Sequence, residues 1–384
     1  MKRRKIRVAV LFGGRSGEHE VSLASAASVM QAMDKEKYDI YPVGISPSGR
    51  WLTTGDPMRL LQSGEAEVFA PAPEQAPATG RELTVASESM SLVLGTRETG
   101  FPEVDVVFPV LHGPYGEDGT VQGLLQLADI PYVGAGVLGS ALGMDKVAMK
   151  AVFRAHGLPV VDHMAFLARD WRIQPQELVA QVERHLGYPC FVKPANLGSS
   201  VGITKAHDRQ ELEQGLELAA EYDRRLLVEK GVNAREIEVS VLGNDEPEAS
   251  VAGEIVPCNE FYDYAAKYLD GNSELLIPAP ISPEQTREAQ ELAVRAYKAV
   301  DCAGMARVDF LLCRDSGRLY LNELNTIPGF TSISMYPKLW EASGLPYPRL
   351  IDRLIELALE RHEERGRLLT RYPGAKGEEC PCGE

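Results

Sequence analysis

Short apolar runs rich in β-branched residues recur along the first third of the chain and predict buried strands. They occupy residues 6–12, 38–45 and 104–111. A helical pattern of small residues covers 21–30, soon after the first run and its Gly-Gly turn. Strand, glycine turn and helix in this order begin a doubly wound α/β unit, in which a ligand is expected at the turn.

A second set of patterns begins near residue 142 and mixes shorter strands with amphipathic helices. A helix is expected to open around Lys146, and residues 158–161 lead into a new strand. We therefore place a domain boundary near residue 142. The later patterns predict strands at 188–194, 226–232, 238–242 and 252–256, and helices at 209–223, 284–301 and 348–370.

Two apolar strands around an Asp-Ser-Gly turn predict a β-hairpin within residues 305–325. In this pairing Asp309, Glu323 and Asn325 lie near one end, and the last two share a face because they are two residues apart. Hard oxygen ligands gathered in this way suit Mg²⁺ that is completed by substrate phosphates. Arg307 beside the acids adds the cation that a transferring phosphoryl group needs. The alternative is a solvated hairpin whose polar residues face water.

Three loops carry further candidate chemistry, each with a plainer alternative. Glu20 at the start of the first helix could meet an amine-bearing ligand, or could merely complement the helix dipole. His112 in a glycine-rich loop lies where α/β sheets bind ligands, or is a turn histidine in solvent. Lys193 precedes a Gly/Ser loop that could fold over a polyphosphate, or that is only a flexible hairpin tip. It is not a P-loop, because the Gly-Lys-Ser/Thr order is absent.

Nucleotide binding is suggested by two more segments, of which one is misleading. The strand at 226–232 could present backbone groups to a purine edge, with Glu236 within reach of a ribose. Residues 134–139 spell G-x-G-x-x-G, but they lack the rest of the βαβ unit and an acidic residue about 20 positions later. A nicotinamide-dependent enzyme is therefore kept only as an alternative from another functional class.

Composition is ordinary for a soluble chain of two or three domains. The chain has 384 residues, of which 44% are hydrophobic, and a formal net charge of −15. This charge argues against a nucleic-acid or anionic-membrane partner. No apolar run predicts a spanning helix or a signal peptide, and the scattered cysteines predict a reducing cytoplasm. Residues 60–100 predict a peripheral insertion, and Cys380 and Cys382 lie in a tail expected to be disordered.

Eight motifs in a fixed order carry a family resemblance over about residues 6–360. They are FGGRSGEHEVS, LHGPYGEDG, MDK, VKPANLGSSVG, VEK, FYDYAAKY, ARVDF and NELNTIPGFTSISMYP. The chain resembles the ATP-grasp ligases, and within them the D-alanine–D-alanine ligase family. This resemblance implies a mixed α/β and α+β chain with the ATP-grasp fold. An N-terminal doubly wound α/β domain at 1–142 would precede two α+β subdomains at 143–235 and 236–370 that clasp ATP, and a tail at 371–384.

The resemblance also implies a reaction. ATP phosphorylates the carboxylate of one D-alanine, the amine of a second D-alanine attacks the resulting acyl phosphate, and ADP and phosphate are released. Because water would hydrolyse the acyl phosphate, a closing loop is expected at 258–280. The family further implies a homodimer that works in peptidoglycan precursor synthesis.

Individual roles follow from the residues that match the family motifs. Glu20 would hold the ammonium of the first D-alanine and hydrogen-bond with Ser199 and Tyr268. His112 would lie beside that substrate. The resemblance implies that ATP would be bound by Lys146, Lys193, Ser200, Glu229, Lys230, Val232, Glu236 and Lys267. Two Mg²⁺ ions, with Mn²⁺ as the alternative metal, would be held by Asp309, Glu323 and Asn325. The oxyanion would be stabilised by Arg307 and the N–H of Gly329, and the second D-alanine would be bound by Ser334 and Met335.

The second substrate is open at the level of sequence. Relatives that form D-alanyl-D-lactate differ around the closing loop, and the vancomycin-resistance type carries a histidine where this chain has Tyr268. The tyrosine favours the dipeptide, and a D-lactate or D-serine ligase of the same family is the alternative. A non-catalytic nucleotide-binding module is a further alternative, against which the intact set of Arg307, Asp309, Glu323 and Asn325 speaks.

Overall fold

The computed structural model describes residues 4–64, 103–256, 274–331 and 333–369. Several expectations fall outside these residues. They are most of the insertion at 60–100, most of the closing loop at 258–280, the cysteine-bearing tail, and the roles of Lys267 and Tyr268. Within the described part, no helix combines the length and the apolar character that crossing a membrane requires.

The first sheet has four strands in the order β3-β2-β1-β4. β1 runs parallel to both β2 and β4, and β3 pairs antiparallel with β2. Residues 8–12 of β1 are fully buried, which explains why this strand is an unbroken apolar run. The elements of this region are β1 (Ile6–Gly13), α1 (His19–Ala32), β2 (Tyr38–Ile45), β3 (Trp51–Leu52), α2 (Pro57–Gln62), β4 (Val106–Pro109), α3 (Thr120–Leu127) and α4 (Val137–Met144).

The second sheet has four strands in the order β5-β8-β6-β7, and every pairing in it is antiparallel. Leu212, Leu216 and Ala219 form the buried stripe of α8, at the spacing expected for one helix face packed on a sheet. The elements are α5 (Lys146–Ala155), β5 (His163–Leu167), α6 (Ala168–Ile173), α7 (Pro175–His185), β6 (Cys190–Pro194), β7 (Thr204–Ala206), α8 (Arg209–Tyr222) and β8 (Arg225–Lys230).

The third sheet has five antiparallel strands in the order β11-β10-β9-β12-β13. Its elements are β9 (Ala234–Gly243), β10 (Glu248–Val256), β11 (Glu274–Leu276), α9 (Pro283–Ala299), β12 (Gly304–Cys313), β13 (Leu319–Asn325), α10 (Met335–Ala342) and α11 (Tyr347–Gly366). The predicted hairpin is confirmed as β12 and β13. In its register Arg307 lies opposite Asn325 and Asp309 opposite Glu323, with an irregularity directly after Asp309.

One apolar cluster joins the first sheet to α10, α11 and the segment that follows β13. Phe330 is fully buried at its centre. Its ring meets Phe108 of β4 edge-on with centroids 6.0 Å apart, and it stacks on Tyr347 of α11 at 6.3 Å. Because aromatic packing of this kind is directional as well as apolar, it holds the end of β13 against the first sheet.

The G-x-G-x-x-G segment serves close packing in this fold. It follows an isolated bridge between Val107 and Tyr132 and leads into α4. A Cβ at Gly139 would lie 2.6 Å from the carbonyl oxygen of Asp301, and a Cβ at Gly304 would lie 3.1 Å from the nitrogen of Gly134. The glycines therefore allow α4 and its entry loop to approach the start of β12, and this use accounts for the motif without a dinucleotide.

Candidate active site

The candidate residues gather where loops from all three sheets meet. The glycine turn after β1, the His112 loop after β4 and the Gly/Ser loop after β6 converge there, close to the chain that follows β13. Parallel strands direct their C-terminal ends, and hence the following loops, to one edge of a sheet. β1 and β4 are parallel neighbours of this kind, so the first two loops are adjacent although about 100 residues separate them in the chain.

Glu18, rather than Glu20, faces this junction. Ser199 Oγ donates a hydrogen bond to Glu18 Oε1. A Cβ on Gly198 would lie 2.6 Å from Glu18 Oε2, and one on Gly113 would lie 2.8 Å from the same oxygen. The predicted hydrogen bond between Ser199 and Glu20 is therefore wrong. Glu18 is the N-cap residue that precedes α1, whereas Glu20 lies in the first turn of the helix and is exposed.

His112 lies beside Glu18 in the same junction. The Nδ1 of the buried His112 ring donates to the carbonyl of Ile327 at 3.0 Å, and its Nε2 lies 3.2 Å from Ser25 Oγ. Glu117 Oε2 lies 3.8 Å from Nδ1. Burial opposes the charged imidazole, but the neighbouring carboxylates of Glu117 and Glu18 outweigh it and raise the pKa of His112. The pKa of Glu117 is also raised, by burial first and by Glu18 as well.

The Gly/Ser loop between β6 and β7 holds a conformation that its sequence does not favour. Ser199 and Ser200 have φ values of 49° and 60°, in the left-handed region that residues with a side chain rarely adopt. Backbone strain of this kind is retained where surrounding contacts impose it, and it is common at ligand sites. The contact between Ser199 and Glu18 is one such constraint.

Lysines and glutamates form a buried network below this loop. Lys146 Nζ donates to the carbonyl of Leu197 at 2.8 Å and lies 3.3 Å from Glu323 Oε2. The carboxylate of Glu229 forms ion pairs with two lysines, with Lys193 Nζ 2.5 Å from one oxygen and Lys150 Nζ 2.6 Å from the other. The network thus joins α5, β6, β8 and β13.

Charge pairing overrides burial at the centre of the network. Burial would raise the pKa of Glu229, but the two ammonium groups lower it to about 2. For Lys193, burial is likewise outweighed by Glu229 and its pKa is raised. For Lys150 burial dominates and its pKa is lowered, with Lys193 adding to the effect. The Glu229 carboxylate therefore stays ionised between the two buried lysines.

The residues expected to contact adenine and ribose differ in how deeply they are buried. The side chain of Glu229 is buried within the lysine network, whereas Lys230 is exposed and its N–H bonds the carbonyl of Asp162. Val232 follows β8 and Glu236 lies on β9, and both residues are partly exposed. Contact of these residues with adenine and ribose stays a prediction.

Arg307 is held between acids on two strands of the third sheet. Its Nε and Nη2 each lie 2.7 Å from an oxygen of Asp309, in a two-pronged pairing. Nε also lies 3.1 Å from Glu238 Oε2 on β9. Asn325 Nδ2 donates to Asp309 at 3.0 Å. Although burial opposes the charge, Asp309 and Glu238 raise the pKa of Arg307, so the guanidinium is permanently charged at this end of the hairpin.

The end of the hairpin offers donors that suit Mg²⁺. Asp309 and Glu323 are carboxylates on facing strands and Asn325 adds an amide oxygen. Each carboxylate is paired with a cation, Asp309 with Arg307 and Glu323 with Lys146. Among the side chains that the structure describes, no three or more His, Cys, Asp or Glu residues form a group that could hold a metal ion. The donor set fits an ion that phosphate oxygens complete, and the metal assignment stays a prediction.

The residues expected at the second D-alanine differ in exposure. Ser334 is partly exposed at the start of α10, where its Oγ accepts a hydrogen bond from the N–H of Thr331 at 3.0 Å. A Cβ on Gly329 would lie 2.7 Å from that same oxygen. The side chain of Met335 is buried against Ile255 and Leu339, so a contribution from this residue to a substrate site would come from its backbone at the helix N-terminus.

Four acidic or basic residues of the junction were missed at the level of sequence: Glu18, Glu117, Lys150 and Glu238. Two of them lie inside motifs that were recognised, since Glu18 is in FGGRSGEHEVS and Glu117 in LHGPYGEDG. Lys150 follows Lys146 by four residues, the spacing that places two side chains on one helix face. Glu238 has no local signal, because its approach to Arg307 depends on strand pairing.

Family models match the two parts of the chain separately. A model described as D-ala D-ala ligase N-terminus matches residues 7–135, and one described as D-ala D-ala ligase C-terminus matches residues 152–356. A D-alanine--D-alanine ligase of Thermoanaerobacter sp. (strain X514) is 57% identical over 364 residues, covering 94% of this chain and 99% of the relative. One of Ruminiclostridium cellulolyticum is 51% identical over 373 residues, covering 95% and 98%.

Solved structures give the same result. The D-alanine-D-alanine ligase from Coxiella burnetii superimposes with a TM-score of 0.77 at 38% identity, covering 95% of this chain and 97% of the other. The VanG D-Ala:D-Ser ligase from Enterococcus faecalis also has a TM-score of 0.77, at 39% identity, covering 92% and 100%. The fold is therefore shared along nearly the whole chain.

Proposed function

The chain belongs to the D-alanine–D-alanine ligase family and has its ATP-grasp fold, and on this premise we propose that it joins two molecules of D-alanine into D-alanyl-D-alanine at the expense of ATP. The product would serve the synthesis of peptidoglycan precursors. The observation that carries the proposal is the 57% identity to a D-alanine--D-alanine ligase over 94% of the chain. We retain the division into an N-terminal domain at 1–142 and two ATP-grasp subdomains at 143–235 and 236–370.

The first D-alanine would bind at the junction around Glu18. Its ammonium would meet the Glu18 carboxylate, which replaces Glu20 in this role, and Ser199 would hold that carboxylate from the far side. His112, whose pKa is raised by the neighbouring carboxylates of Glu117 and Glu18, would lie beside the first D-alanine. Loops from the first and second sheets would thus close on the same small molecule.

The carboxylate of the first D-alanine would attack the terminal phosphorus of ATP, and the acyl phosphate would form as the bond to the bridging oxygen breaks and ADP leaves. Two anions must approach each other in this step, so their charges have to be neutralised. Lys146 and Lys193 supply positive charge from the described residues, and Lys267 is proposed as a third cation. Ser200, Lys230, Val232 and Glu236 remain proposed contacts to the nucleotide. Asp309, Glu323 and Asn325 would hold two Mg²⁺ ions, or Mn²⁺, whose charge would offset that of the phosphates.

The amine of the second D-alanine would attack the acyl phosphate carbon, and phosphate would leave with the bonding electrons. The oxyanion that forms on the carbonyl oxygen would be stabilised by Arg307 and the N–H of Gly329. Arg307 is suited to this because Asp309 and Glu238 fix its guanidinium from two directions. Ser334 would bind the carboxylate of the second D-alanine, with Met335 beside it and Tyr268 at the closed site.

A D-alanine–D-serine ligase is the second candidate. The similarity to the VanG D-Ala:D-Ser ligase, at 39% identity over 92% of this chain, is the observation in its favour. A D-lactate ligase is a further member of the same alternative. Higher identity to the D-alanine--D-alanine ligases favours the dipeptide.

The deciding experiment measures phosphate release from ATP and Mg²⁺ with D-alanine alone, and then with an excess of D-lactate or D-serine, and separates the products by chromatography. We expect a D-alanyl-D-alanine peak that persists near neutral pH in the presence of D-lactate. A depsipeptide or a D-alanyl-D-serine peak would move the assignment to the alternative. Absence of amino-acid-dependent phosphate release would refute the substrate assignment.

Localisation, assembly and partners complete the proposal. We propose that the protein is a cytoplasmic homodimer that binds neither nucleic acid nor membranes. Light scattering of the purified protein measures the molar mass, which for a dimer is twice the 42.0 kDa of one chain. A mass of one chain at micromolar concentration would contradict the dimer.

A further inference from the structure

Lys150 is a fully buried lysine to which the mechanism above gives no role. Its side chain is 1% exposed, in the middle of α5. Its Nζ lies 2.6 Å from Glu229 Oε1 and donates to the carbonyl of Asn322 at 2.8 Å. Burying a charged lysine costs free energy unless its charge is compensated, and these two contacts provide the compensation. Because Lys150 shares Glu229 with Lys193, its effect on Lys193 is the point to examine.

We propose that Lys150 is a positioning residue of the nucleotide site, which neutralises Glu229 and thereby leaves the positive charge of Lys193 available to the phosphates of ATP. This inference rests on the proposed function only in requiring that the chain binds ATP. Lys150 itself is too deeply buried to reach a ligand, and it acts through Glu229 and Lys193.

The geometry of the carboxylate supports this division of roles. Glu229 uses one oxygen for Lys150 and the other for Lys193, at 2.6 and 2.5 Å. Lys193 is the more exposed of the two lysines, with its side chain 11% accessible against 1% for Lys150. The outer lysine can therefore meet a ligand, whereas the inner lysine contacts Glu229 and the carbonyl of Asn322 inside the protein.

The charge balance gives the physical reason. Two lysines and one glutamate carry a net charge of +1, and the accessible end of that cluster is Lys193. Without Lys150, Glu229 and Lys193 form a neutral pair, and the glutamate competes with the phosphates for the lysine. Because Coulomb interactions are strong in a partly desolvated site, losing this one charge would weaken the binding of phosphates more than the binding of the nucleoside.

The contact with Asn322 adds a geometric component. The carbonyl of Asn322 belongs to β13, whereas Glu229 and Lys193 belong to β8 and β6 of the second sheet. Lys193 Nζ also lies 3.5 Å from Asn322 Oδ1. Lys150 thus fastens the second sheet to the hairpin that carries Asp309 and Glu323, so that the cations and the proposed metal ligands keep their relative positions.

The test compares the binding of Mg·ADP and of adenosine by calorimetry in the absence of D-alanine. We expect Lys150→Met to weaken Mg·ADP binding by roughly tenfold, the effect of about one charge in a partly screened site, and to change adenosine binding by less than about twofold. Arg154→Met is the matched control, since Arg154 is an exposed cation one turn later on α5 and the ratio of the two affinities should stay unchanged.

A double-mutant cycle separates this role from a merely structural one. In the Glu229→Gln background no carboxylate competes for Lys193, so Lys150→Met should change Mg·ADP affinity by less than about twofold. An equal loss in both backgrounds, or equal losses for Mg·ADP and adenosine, would overturn the proposal. If wild-type protein binds Mg·ADP but shows no D-alanine-dependent turnover, the substrate assignment fails and this test still decides the role of Lys150.

The Lys150→Met variant is expected to fold, because Glu229 keeps Lys193 as a partner and no buried charge is left unpaired. Lys150→Gln is the second variant, which keeps a donor for the carbonyl of Asn322 while removing the charge. It should lose Mg·ADP affinity to the same extent as Lys150→Met. Wild-type Mg·ADP affinity in a folded Lys150→Gln protein would contradict the role of the charge.

Discussion

At the scale of single residues, the decisive feature is which side of a helix or strand each side chain occupies. Glu18 and Glu20 are two positions apart in the same motif, yet Glu18 is wedged against Gly113 and Gly198 whereas Glu20 is exposed. Glu18 is the N-cap residue with a non-helical backbone, whereas Glu20 lies in the first turn of α1, so the two side chains point in different directions. The motif therefore predicts a carboxylate in the site, and the backbone geometry determines which of the two glutamates faces the site.

Glu18→Gln should strongly impair the use of the first D-alanine. The variant keeps the shape of the side chain but loses the charge that the substrate ammonium would meet, so kcat/KM for D-alanine should fall roughly 10- to 100-fold. Steady-state kinetics at saturating ATP measure the effect. Glu20→Gln is the matched control and should stay within about twofold of wild type; the opposite ranking of the two variants would restore Glu20 to the site.

The pKa of Glu229 predicts how stability depends on pH. Its folded-state pKa of about 2 lies below the ordinary value of 4.5, so the fold favours the ionised carboxylate. The corresponding stability is fully present above about pH 4.5 and is lost as the pH falls through about 2. We expect the difference in free energy of unfolding between wild type and Glu229→Gln to narrow as the pH is lowered through this window.

Denaturant unfolding at several pH values between about 5 and 2 measures this difference. Glu221→Gln, which changes an exposed carboxylate on α8, serves as the control and should show a much smaller trend. A difference for Glu229→Gln that is independent of pH would mean that this carboxylate is not held ionised by its lysines.

At the scale of secondary-structure elements, periodicity located most of the strands and helices. The apolar run at 6–12, the hairpin at 305–325 and the helices at 209–223 and 284–301 are confirmed within a few residues. The strand expected at 104–111 is shorter, Val106–Pro109. Its apolar pattern continues past the last paired residue because Val110 and Leu111 are buried without belonging to the strand, and periodicity reports burial rather than pairing.

A substitution at Gly139 of α4 tests the close approach of this helix to the segment that precedes β12. A Cβ there would lie 2.6 Å from the backbone oxygen of Asp301, so Gly139→Ala must push the helix away from the start of β12. We expect a destabilisation of about 1–3 kcal/mol, measured by denaturant unfolding. Gly123→Ala in α3 is the control, since nothing lies within 4 Å of its Cβ, and it should be neutral or stabilising by up to about 1 kcal/mol.

At the scale of the whole molecule, the site depends on apolar packing between parts of the chain that are distant in sequence. Phe330 follows the hairpin, and it packs against Phe108 of the first sheet and Tyr347 of α11. The same segment contains Gly329, and the N–H of Phe330 donates to Ser25 Oγ, which contacts His112. Core packing and the substrate junction thus share one short segment.

Phe330→Ala should therefore lower both stability and activity. Removing a fully buried ring leaves a cavity, and the expected cost is about 3–5 kcal/mol in the free energy of unfolding. In the fraction that remains folded, turnover should fall because Gly329 and His112 lose their common support. Ile173→Ala removes an exposed side chain and should cost less than about 0.5 kcal/mol; equal effects of the two variants would contradict the argument.

The sequence by itself determined the family, the order of the elements and the types of residue in the site, because motifs and periodicity are local properties of the chain. Tertiary structure decided which of these residues meet. The pairing of Glu18 with Ser199, of Lys150 with Glu229 and of Arg307 with Glu238 joins residues that lie 69 to 181 positions apart in the chain. Such contacts arise from packing and strand register, and the local sequence around each residue specifies neither of them.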